Sequence, residues 1–201
     1  MIKQIVIYSN NQHKIDEIRD IFSTLPVHVY GYIEAGYSFV EVVEDGQTLE
    51  ENAIKKVAHF HPSKDSVFLS DDSGLEVEFL DGAPGVYSSR YAGDEASDQV
   101  NCEKVLRLLG NTPNRKAQFR TVIALSIPNR PIMTVSGKVL GQILFSPRGE
   151  SGFGYDPIFQ PEGYQQSFAE MSRKEKNAIS HRHLALSEAL LKLTPVLFPA
   201  S

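Results

Sequence analysis

The sequence has no tryptophan and a single cysteine, Cys102, among its 201 residues. One cysteine cannot form an internal disulfide, and it excludes a zinc site built from several thiolates. A reducing compartment is the natural setting for such a chain. The N-terminal apolar segment turns polar at Ser9, before the core of a signal peptide could form. We therefore expect a cytoplasmic protein.

Long apolar runs and an excess of basic residues are also missing. No segment approaches membrane-spanning length, so we expect no membrane partner. The formal net charge is −5, whereas proteins that bind duplex nucleic acid normally carry a basic stripe. We expect no nucleic-acid partner for that reason. A small phosphorylated ligand, neutralised by a few local cations, is compatible with this charge.

Several common catalytic patterns are absent as well. The chain has no Gly-x-x-x-x-Gly-Lys-[Ser/Thr] phosphate loop, no complete Gly-x-Gly-x-x-Gly fingerprint, no Gly-x-Ser-x-Gly elbow and no His-Glu-x-x-His zinc pair. The remaining candidates are carboxylates and lysines without a histidine or cysteine cluster. Oxygen-rich sites of this kind favour a hard cation, so we predict Mg²⁺ as the cofactor.

What is present is an alternation of strand and helix patterns that predicts an α/β fold. Strands are predicted near residues 3–8, 27–32, 67–69, 75–79, 117–127 and 132–145. Helices are predicted near residues 15–25, 48–60 and 98–110, and a C-terminal helix is predicted to end at Pro195. The last two strands should form a hairpin because their connection is short. We predict a single domain over residues 1–201, built on a long mixed sheet flanked by helices.

Two adjacent carboxylates, Asp71 and Asp72, follow the apolar run at residues 67–69. Successive side chains of a strand alternate between its faces, so both cannot point into one cleft while the chain stays extended. We predict that one carboxylate is the chemical group and that the other supports it. The structural alternative is a strand that ends in a polar turn at residues 71–74, with Gly74 at a positive φ.

Residues 9–14 connect the first predicted strand to the first predicted helix. Such a junction offers free amide groups and a positive helix end, which suit a phosphate group, and Lys14 adds a charge. The alternative is that Ser9 or Asn10 only caps the helix and that Lys14 is solvated.

Glu51 has two possible roles. Thr48 and Glu51 have the spacing of a capping box, which would explain Glu51 completely. The competing interpretation makes Glu51 a carboxylate aimed at a metal that it shares with Asp72. The sequence spacing by itself favours the cap.

A second group of polar and aromatic residues lies between residues 147 and 183. Phe153 stands between two glycines and suits stacking on a planar base, although a packed loop aromatic is the commoner fate. Lys176 and His181 would diverge by about 140° on one uninterrupted helix. Both can reach one ligand only if the helix breaks between them, with Ser180 as a cap. The alternative is a continuous solvated helix with a capping box at residues 172–175.

Six motifs in order make the chain resemble the inosine triphosphate pyrophosphatase family, the dITP/XTP pyrophosphatase group, from about residue 5 to residue 190. The motifs are Ser9-x-Asn11-x-x-Lys14, Glu51-Asn52-Ala53, Ser70-Asp71-Asp72-Ser73-Gly74, Gly82-Ala83-Pro84-Gly85, Gly152-Phe153-Gly154-Tyr155-Asp156-Pro157 and Ile179-Ser180-His181-Arg182. The resemblance implies two lobes with an active cleft between them and, as a rule, a homodimer. It implies Mg²⁺-dependent hydrolysis of non-standard purine nucleoside triphosphates (ITP, dITP, XTP) to the monophosphate and pyrophosphate.

The resemblance also implies roles for individual residues. Asp72 would be the catalytic carboxylate and a metal ligand, Glu51 a second metal ligand, and Ser73 a substrate contact. The triphosphate would be held by Ser9, Asn10, Asn11, Gln12, His13 and Lys14, and the nucleoside by Phe153, Gly154, Tyr155, Asp156, Lys176, His181 and Arg182.

The chemistry of these residues suggests a mechanism. Lys14 and Lys56 would stabilise charge on the leaving oxygens. Donors from His181 or Arg182 would favour a 6-oxo purine over adenine, because adenine presents a donor at that position. The alternatives are a sibling enzyme for other modified nucleotides and a nucleotide-binding sensor without turnover. Intact Asp72, Glu51 and Lys14 argue against a sensor.

Overall fold

The computed structural model describes residues 2–23, 25–38 and 40–198. Its strands in this part of the chain are β1 (Gln4–Tyr8), β2 (His28–Gly31), β3 (Ser66–Val77), β4 (Lys116–Ser126), β5 (Met133–Ile143) and β6 (Phe159–Pro161). They form one sheet with the order β2-β1-β3-β4-β5-β6. β1 pairs in parallel with β2 and β3, whereas β5 pairs antiparallel with β6. The predicted mixed sheet is confirmed, and the two long strands β4 and β5 are neighbours in it.

Five α-helices occur within the described residues: α1 (Gln12–Phe22), α2 (Leu49–Ala58), α3 (Asp98–Leu109), α4 (Arg173–Ile179) and α5 (His181–Leu197). Short 3-10 helices span Glu78–Leu80, Gly85–Arg90, Asp156–Ile158 and Phe168–Glu170. Side-chain caps fix several helix starts, since Thr48 accepts a hydrogen bond at the start of α2 and Ser97 at the start of α3. Within the described ranges, none of these helices has the length and apolar character needed to cross a bilayer.

The chain divides into two compact units. Unit 1 comprises Met1–Asp72, Thr121–Gly137 and Arg182–Ser201, and unit 2 comprises Ser73–Arg120 and Lys138–His181. Each unit has its own hydrophobic core. The core of unit 1 includes Ile5, Ile7, Ile18, Phe22, Leu69, Ile123, Leu186 and Leu193. The core of unit 2 includes Leu75, Val105, Leu109, Phe119, Ile158, Phe159 and Phe168.

The polar turn considered for residues 71–74 is wrong. β3 continues without interruption through Val77, so the two strands predicted near 67–69 and 75–79 are one strand, and Phe79 lies in a 3-10 helix. Gly74 is not at a positive φ. A Cβ atom on Gly74 would lie 2.4 Å from the carbonyl oxygen of Gly85, so the glycine serves a close backbone approach.

Two helix ends differ from the sequence predictions. The first helix is capped by Asn11, whose side chain accepts from the Lys14 amide, and not by Ser9 or Asn10. The last helix passes through Pro195 and continues to Leu197. Pro195 has no amide hydrogen to donate. In a regular helix the amide at this position would bond to the carbonyl of Leu191, which is an exposed residue. The loss of one hydrogen bond near the end of an exposed turn does not stop the helix.

The helix break between Lys176 and His181 is confirmed. α4 ends at Ile179, and Ser180 is extended, with φ −67° and ψ 154°. The capping box at Ser172 and Glu175 is present as well, but it starts the short α4 only. The continuous helix considered as the alternative is therefore wrong.

Candidate active site

Asp71 and Asp72 bind different cations in unit 1. β3 is extended through both positions, so their side chains lie on opposite faces of the strand. Asp71 pairs with Lys14 and Arg182, whereas Asp72 pairs with Lys56. Both carboxylates are buried. The expected division into two environments is thus observed.

Asp71 belongs to a buried network of two cations and two carboxylates. The Lys14 ammonium lies 3.1 Å from Asp71 Oδ2. Arg182 donates to the same oxygen from Nε and from Nη2, at 3.3 Å each, and its Nη1 donates to Glu17. Arg182 is only 1% exposed, and Glu17 is also buried. The charges of these four side chains balance, which makes their joint burial tolerable.

Burial and ion pairing oppose each other in this network. Burial by itself raises the pKa of the Asp71 carboxyl, but Lys14 and Arg182 outweigh burial and hold it well below its usual range. Burial lowers the pKa of Lys14, and the Asp71 carboxylate offsets part of that shift. Asp71 is therefore a firmly ionised support for Lys14, which excludes the alternative of a solvated lysine.

Asp72 lies beside a lysine that also contacts Glu44. The Lys56 ammonium is 2.9 Å from Asp72 Oδ1 and 3.3 Å from Glu44 Oε2. The Asn52 amide donates to Asp72 Oδ2 at 3.4 Å. Burial raises the pKa of Asp72 against the opposing effect of Lys56. Burial lowers the pKa of Lys56, but Asp72 and Glu44 overcome this and raise it. Asp72 thus has the higher proton affinity that a base needs.

Residues 9–14 form the predicted junction between β1 and α1. Ser9 Oγ accepts from the Asn11 amide at 3.1 Å, and Asn10 Oδ1 accepts from the Tyr32 hydroxyl at 2.6 Å. Gln12 and His13 are exposed on the first turn of α1. Lys14 points into the ion network, where Asp72 and Lys56 also influence its charge. The amide-rich loop and a fixed lysine therefore lie together.

Glu51 takes part in the start of α2. Its amide donates to Thr48 Oγ1 at 3.1 Å, and its carboxylate accepts from the Gln47 amide at 2.7 Å. These bonds account for Glu51 as a helix-terminal residue, although its carboxylate accepts from the Gln47 amide and not from the Thr48 amide of a full capping box. Among residues 2–23, 25–38 and 40–198, no group of three histidine, cysteine or carboxylate side chains is placed to hold a metal ion.

A second buried ion pair occurs in unit 2. The Lys176 ammonium is 2.7 Å from Asp156 Oδ2, which also accepts from the Phe153 amide at 2.9 Å. The same ammonium lies 4.6 Å from the centre of the Phe153 ring. Gly152, at φ +81°, leaves room for this carboxylate, because a Cβ would lie 2.1 Å from Asp156 Oδ2. The glycine-rich loop is thus built around one carboxylate.

His181 lies at the edge of the same region of unit 2. Its ring stacks on Phe119 with centroids 4.6 Å apart and an interplanar angle of 10°. Phe168 lies 6.4 Å from His181 and 5.8 Å from the Lys176 ammonium. The helix break therefore brings Lys176 and His181 to the same aromatic ring, as required if both are to reach one ligand.

A cavity of about 920 Å³ lies elsewhere in unit 2 and contains none of the predicted site residues. Its lining includes Glu76, Gln118, Gln142, Gln160 and Tyr164. Many of these polar groups bond to one another, since Gln118 donates to Glu76 and Gln142 donates to Gln160. The cavity is a groove between satisfied side chains and adds nothing to the candidate site.

Comparison with known proteins identifies the family. The model of the Ham1 family matches residues 5–192, nearly the whole chain. The chain belongs to the Ham1 family. A dITP/XTP pyrophosphatase of Leuconostoc mesenteroides subsp. mesenteroides is 48% identical over 195 residues, covering 94% of this chain and 96% of the relative. A dITP/XTP pyrophosphatase of Desulfotalea psychrophila is 44% identical over 188 residues, covering 94% and 84%.

The fold agrees with solved Ham1 structures. The Staphylococcus aureus Ham1 protein superposes with a TM-score of 0.84 at 44% identity, covering 95% of this chain and 98% of that one. The resemblance inferred from the six motifs is therefore confirmed, together with the α/β fold. The roles of individual residues stay predictions.

The structure groups the predicted site residues of this Ham1 protein into two clusters. Lys14, Lys56 and Asp72 lie together in unit 1, and Phe153, Asp156, Lys176 and His181 lie together in unit 2. Arg182, expected with the nucleoside contacts, has each of its three nitrogens bonded to a carboxylate of unit 1. Ser73 is half-buried on β3.

The sequence alone did not indicate several residues that contact the candidate site. Glu17 lies three positions after Lys14 on α1, so helical spacing could have placed both on one side. Glu44 lies in an irregular segment whose sequence has no periodicity, and nothing local predicts its contact with Lys56. The stacking of Phe119 on His181 joins positions 62 residues apart, which spacing cannot indicate.

Proposed function

We propose that this protein hydrolyses non-standard purine nucleoside triphosphates, namely ITP, dITP and XTP, to the monophosphate and pyrophosphate. The reaction would remove such nucleotides from the cellular pool. The observation that carries the proposal is Asp72, a buried carboxylate of raised pKa whose oxygen lies 2.9 Å from the Lys56 ammonium and whose charge also interacts with Lys14. The names of the Ham1 relatives support the substrate class.

In the proposed reaction Asp72 orients a water molecule and accepts its proton. The water oxygen bonds to phosphorus, the anhydride bond between the α- and β-phosphates breaks, and pyrophosphate leaves with the bond electrons. Burial raises the pKa of Asp72, which strengthens it as a base.

Lys14 and the amides of residues 9–14 would bind the triphosphate. The start of an eleven-residue helix provides a positive end, and the Lys14 ammonium adds a full charge to it. Asp71 would act on the reaction only through Lys14, whose charged form it stabilises. Lys56 would stabilise charge that develops on the leaving oxygens.

Mg²⁺ is the proposed cofactor, with Asp72 and Glu51 as its predicted ligands. Asp72 and Glu44 both contact the Lys56 ammonium, so their carboxylate oxygens lie close to one cation. Carboxylate oxygens are the ligands that a hard cation prefers, so these donors fit Mg²⁺. Glu44 is therefore a further candidate ligand, while Glu51 accepts from a backbone amide. When bound, the ion would neutralise phosphate charge and orient the leaving group.

The residues of unit 2 would hold the nucleoside. Phe153 would stack on the base, and the Lys176 and Asp156 pair would fix that ring. His181 would offer a donor to the 6-oxo group. Arg182 would contribute to base recognition only after release of a bond to Asp71 or Glu17.

We further propose that the single domain acts as a cytoplasmic homodimer, with no nucleic-acid or membrane partner. These statements come from the composition and from the resemblance to the Ham1 relatives. A mass in solution equal to that of one chain would contradict the dimer.

The decisive experiment measures pyrophosphate release from ITP, dITP, XTP, ATP and GTP with Mg²⁺ and with excess EDTA. We expect release mainly from the first three substrates, and none in EDTA. Asp72→Asn should lower the rate by at least about a hundredfold, the usual scale of a lost general base. Asp45→Asn is the matched control, because Asp45 is an exposed residue that pairs with Lys55.

Each contrary result has a distinct meaning. Equal release from all five nucleotides would leave the proposal of a hydrolase in place and refute base recognition by His181 and Arg182. Binding of ITP without pyrophosphate release would favour the nucleotide sensor. Magnesium titrations of Glu44→Gln and Glu51→Gln decide between the two carboxylates, because only loss of a ligand should raise the Mg²⁺ concentration required.

A further inference from the structure

Both backbone groups of Gly154 are held by side chains of α3. The Gly154 amide donates to Asp98 Oδ2 at 2.6 Å, and its carbonyl accepts from Cys102 Sγ at 3.4 Å. Burial, with Asp98 as a lesser cause, raises the pKa of the Cys102 thiol to about 12, so the thiol keeps its proton and can donate. Two residues one helical turn apart thus form hydrogen bonds to the backbone of one glycine of the loop.

These two hydrogen bonds fix Gly154, whose backbone could otherwise rotate easily. Gly154 has φ +61°, in the left-handed region, and glycine populates both hands of φ at little cost. A rotation there would redirect the preceding residue, Phe153. The Phe153 amide is already bonded to Asp156. Adjacent amides are therefore tied to carboxylates from two different elements, and together they set the direction of the Phe153 ring.

We propose that Asp98 is a positioning residue for the base end of the substrate. Its carboxylate holds the Gly154 amide and thereby keeps the Phe153 ring beside Lys176, ready to stack on a purine. The inference rests on the proposed function, which makes Phe153 the stacking surface. Asp98 itself contacts no reacting atom in this scheme.

The position of Asp98 explains why its substitution should weaken substrate binding and leave the chemical step nearly unchanged. A pre-ordered ring spares the substrate the entropy cost of ordering the loop on association. The base takes no part in the bond that breaks. We therefore expect its stacking to be the same in the ground state and in the transition state. Loss of such uniform binding raises KM and leaves kcat nearly unchanged.

The test compares two substitutions of one side chain in the full-length protein. Asp98→Ala removes the acceptor, and we expect KM for ITP to rise roughly 3- to 10-fold, the scale of one hydrogen bond, with kcat within about twofold. Asp98→Asn retains a side-chain oxygen that can accept from Gly154, and its KM should stay within about twofold of the wild type. Asp94→Ala is the control, because it removes an exposed acid that precedes α3.

A second readout follows the loop directly. Hydrogen exchange of the Gly154 amide should become faster in Asp98→Ala and stay slow in Asp98→Asn. The proposal is overturned if a folded Asp98→Ala protein keeps the wild-type KM, or if kcat falls while KM does not change. It is also overturned if Asp98→Asn impairs binding as much as Asp98→Ala, since charge and not the hydrogen bond would then matter.

Failure of the proposed function would be recognised separately. If the wild type releases no pyrophosphate from ITP, the hydrolase proposal fails regardless of Asp98. Equilibrium binding of ITP in EDTA then decides the role of Asp98. Weaker binding by Asp98→Ala, of the same 3- to 10-fold size expected from one hydrogen bond, supports a positioning role, and equal binding refutes it.

Discussion

Units 1 and 2 each bury a lysine against an aspartate, but they stabilise the buried charges differently. In unit 1, Asp71 accepts from Lys14 and Arg182, and Arg182 also binds Glu17. In unit 2, the Asp156 carboxylate accepts from Lys176 and from a backbone amide, and aromatic rings surround the ammonium. Unit 1 thus balances charge with charge, whereas unit 2 uses the backbone and ring faces.

This difference matches what each region is proposed to bind. A triphosphate carries several negative charges, and Lys14, which Asp71 holds in place, could contact one of them without moving. A purine is flat and neutral, and in the proposed scheme it would stack on the Phe153 ring, whose direction the loop sets. In the proposed scheme the same pair of residue types, lysine and aspartate, would serve anion binding in one unit and ring placement in the other.

The largest expected effect is that of removing the cation shared by two carboxylates. Arg182→Met leaves Asp71 with Lys14 alone and leaves Glu17 buried without the guanidinium. Breaking a buried pair in this way costs about 3–5 kcal/mol of the free energy of unfolding. Urea unfolding at neutral pH measures the loss.

The same substitution at an exposed pair is the control. Arg19 binds Glu34 with side chains 31% and 55% exposed. Arg19→Met should cost at most about 1 kcal/mol, because exposed ion pairs contribute little. Equal losses in Arg182→Met and Arg19→Met would show that the buried network does not stabilise unit 1 as described.

A smaller loss is expected in unit 2. Lys176→Met removes the ammonium, but Asp156 keeps the hydrogen bond from the Phe153 amide. We expect a loss of about 1.5–3 kcal/mol, the scale of a hydrogen bond to a charged group. Lys174→Met, on the exposed side of α4, is the matched control. A loss as large as that of Arg182→Met would remove the distinction between the units.

Features with a local physical cause could be predicted from the sequence. Thr48 and Ser97 cap helices because their hydroxyls accept the amides three residues on. The break before His181 was required by helical geometry if Lys176 and His181 serve one ligand, and it is observed. The opposite environments of Asp71 and Asp72 follow from the alternation of a strand.

Features set by distant contacts could not be predicted in this way. β3 stays extended at Gly74 because the backbone of Gly85 lies against it, which the local Asp-Asp-Ser-Gly pattern does not reveal. Arg182 follows His181 in sequence, yet its guanidinium binds Asp71, 111 positions away. Motif order placed Arg182 near the nucleoside contacts, whereas the electrostatics of the buried carboxylates decide its partners.

The smallest expected effect is on the free energy of unfolding at low pH, and it tests the charge balance of unit 1. The pKa of Asp71 lies below its value of about 3.9 in an unfolded chain, since Lys14 and Arg182 outweigh the effect of burial. The unfolded state therefore binds more protons in this range, and stability falls as the pH falls. The contribution of Asp71 is complete above about pH 5 and is lost below it.

Wild-type stability should fall more steeply than that of Asp71→Asn between about pH 5 and pH 3. The difference in slope should reach at most about 1.4 kcal/mol per pH unit, the value for one proton. Urea unfolding at intervals across this range measures both slopes. Arg182→Met should also flatten the profile, because it removes one cause of the low pKa of Asp71. Parallel profiles for wild type and Asp71→Asn would mean that the cations do not hold Asp71 ionised, and the contrast between the two units would then rest on packing alone.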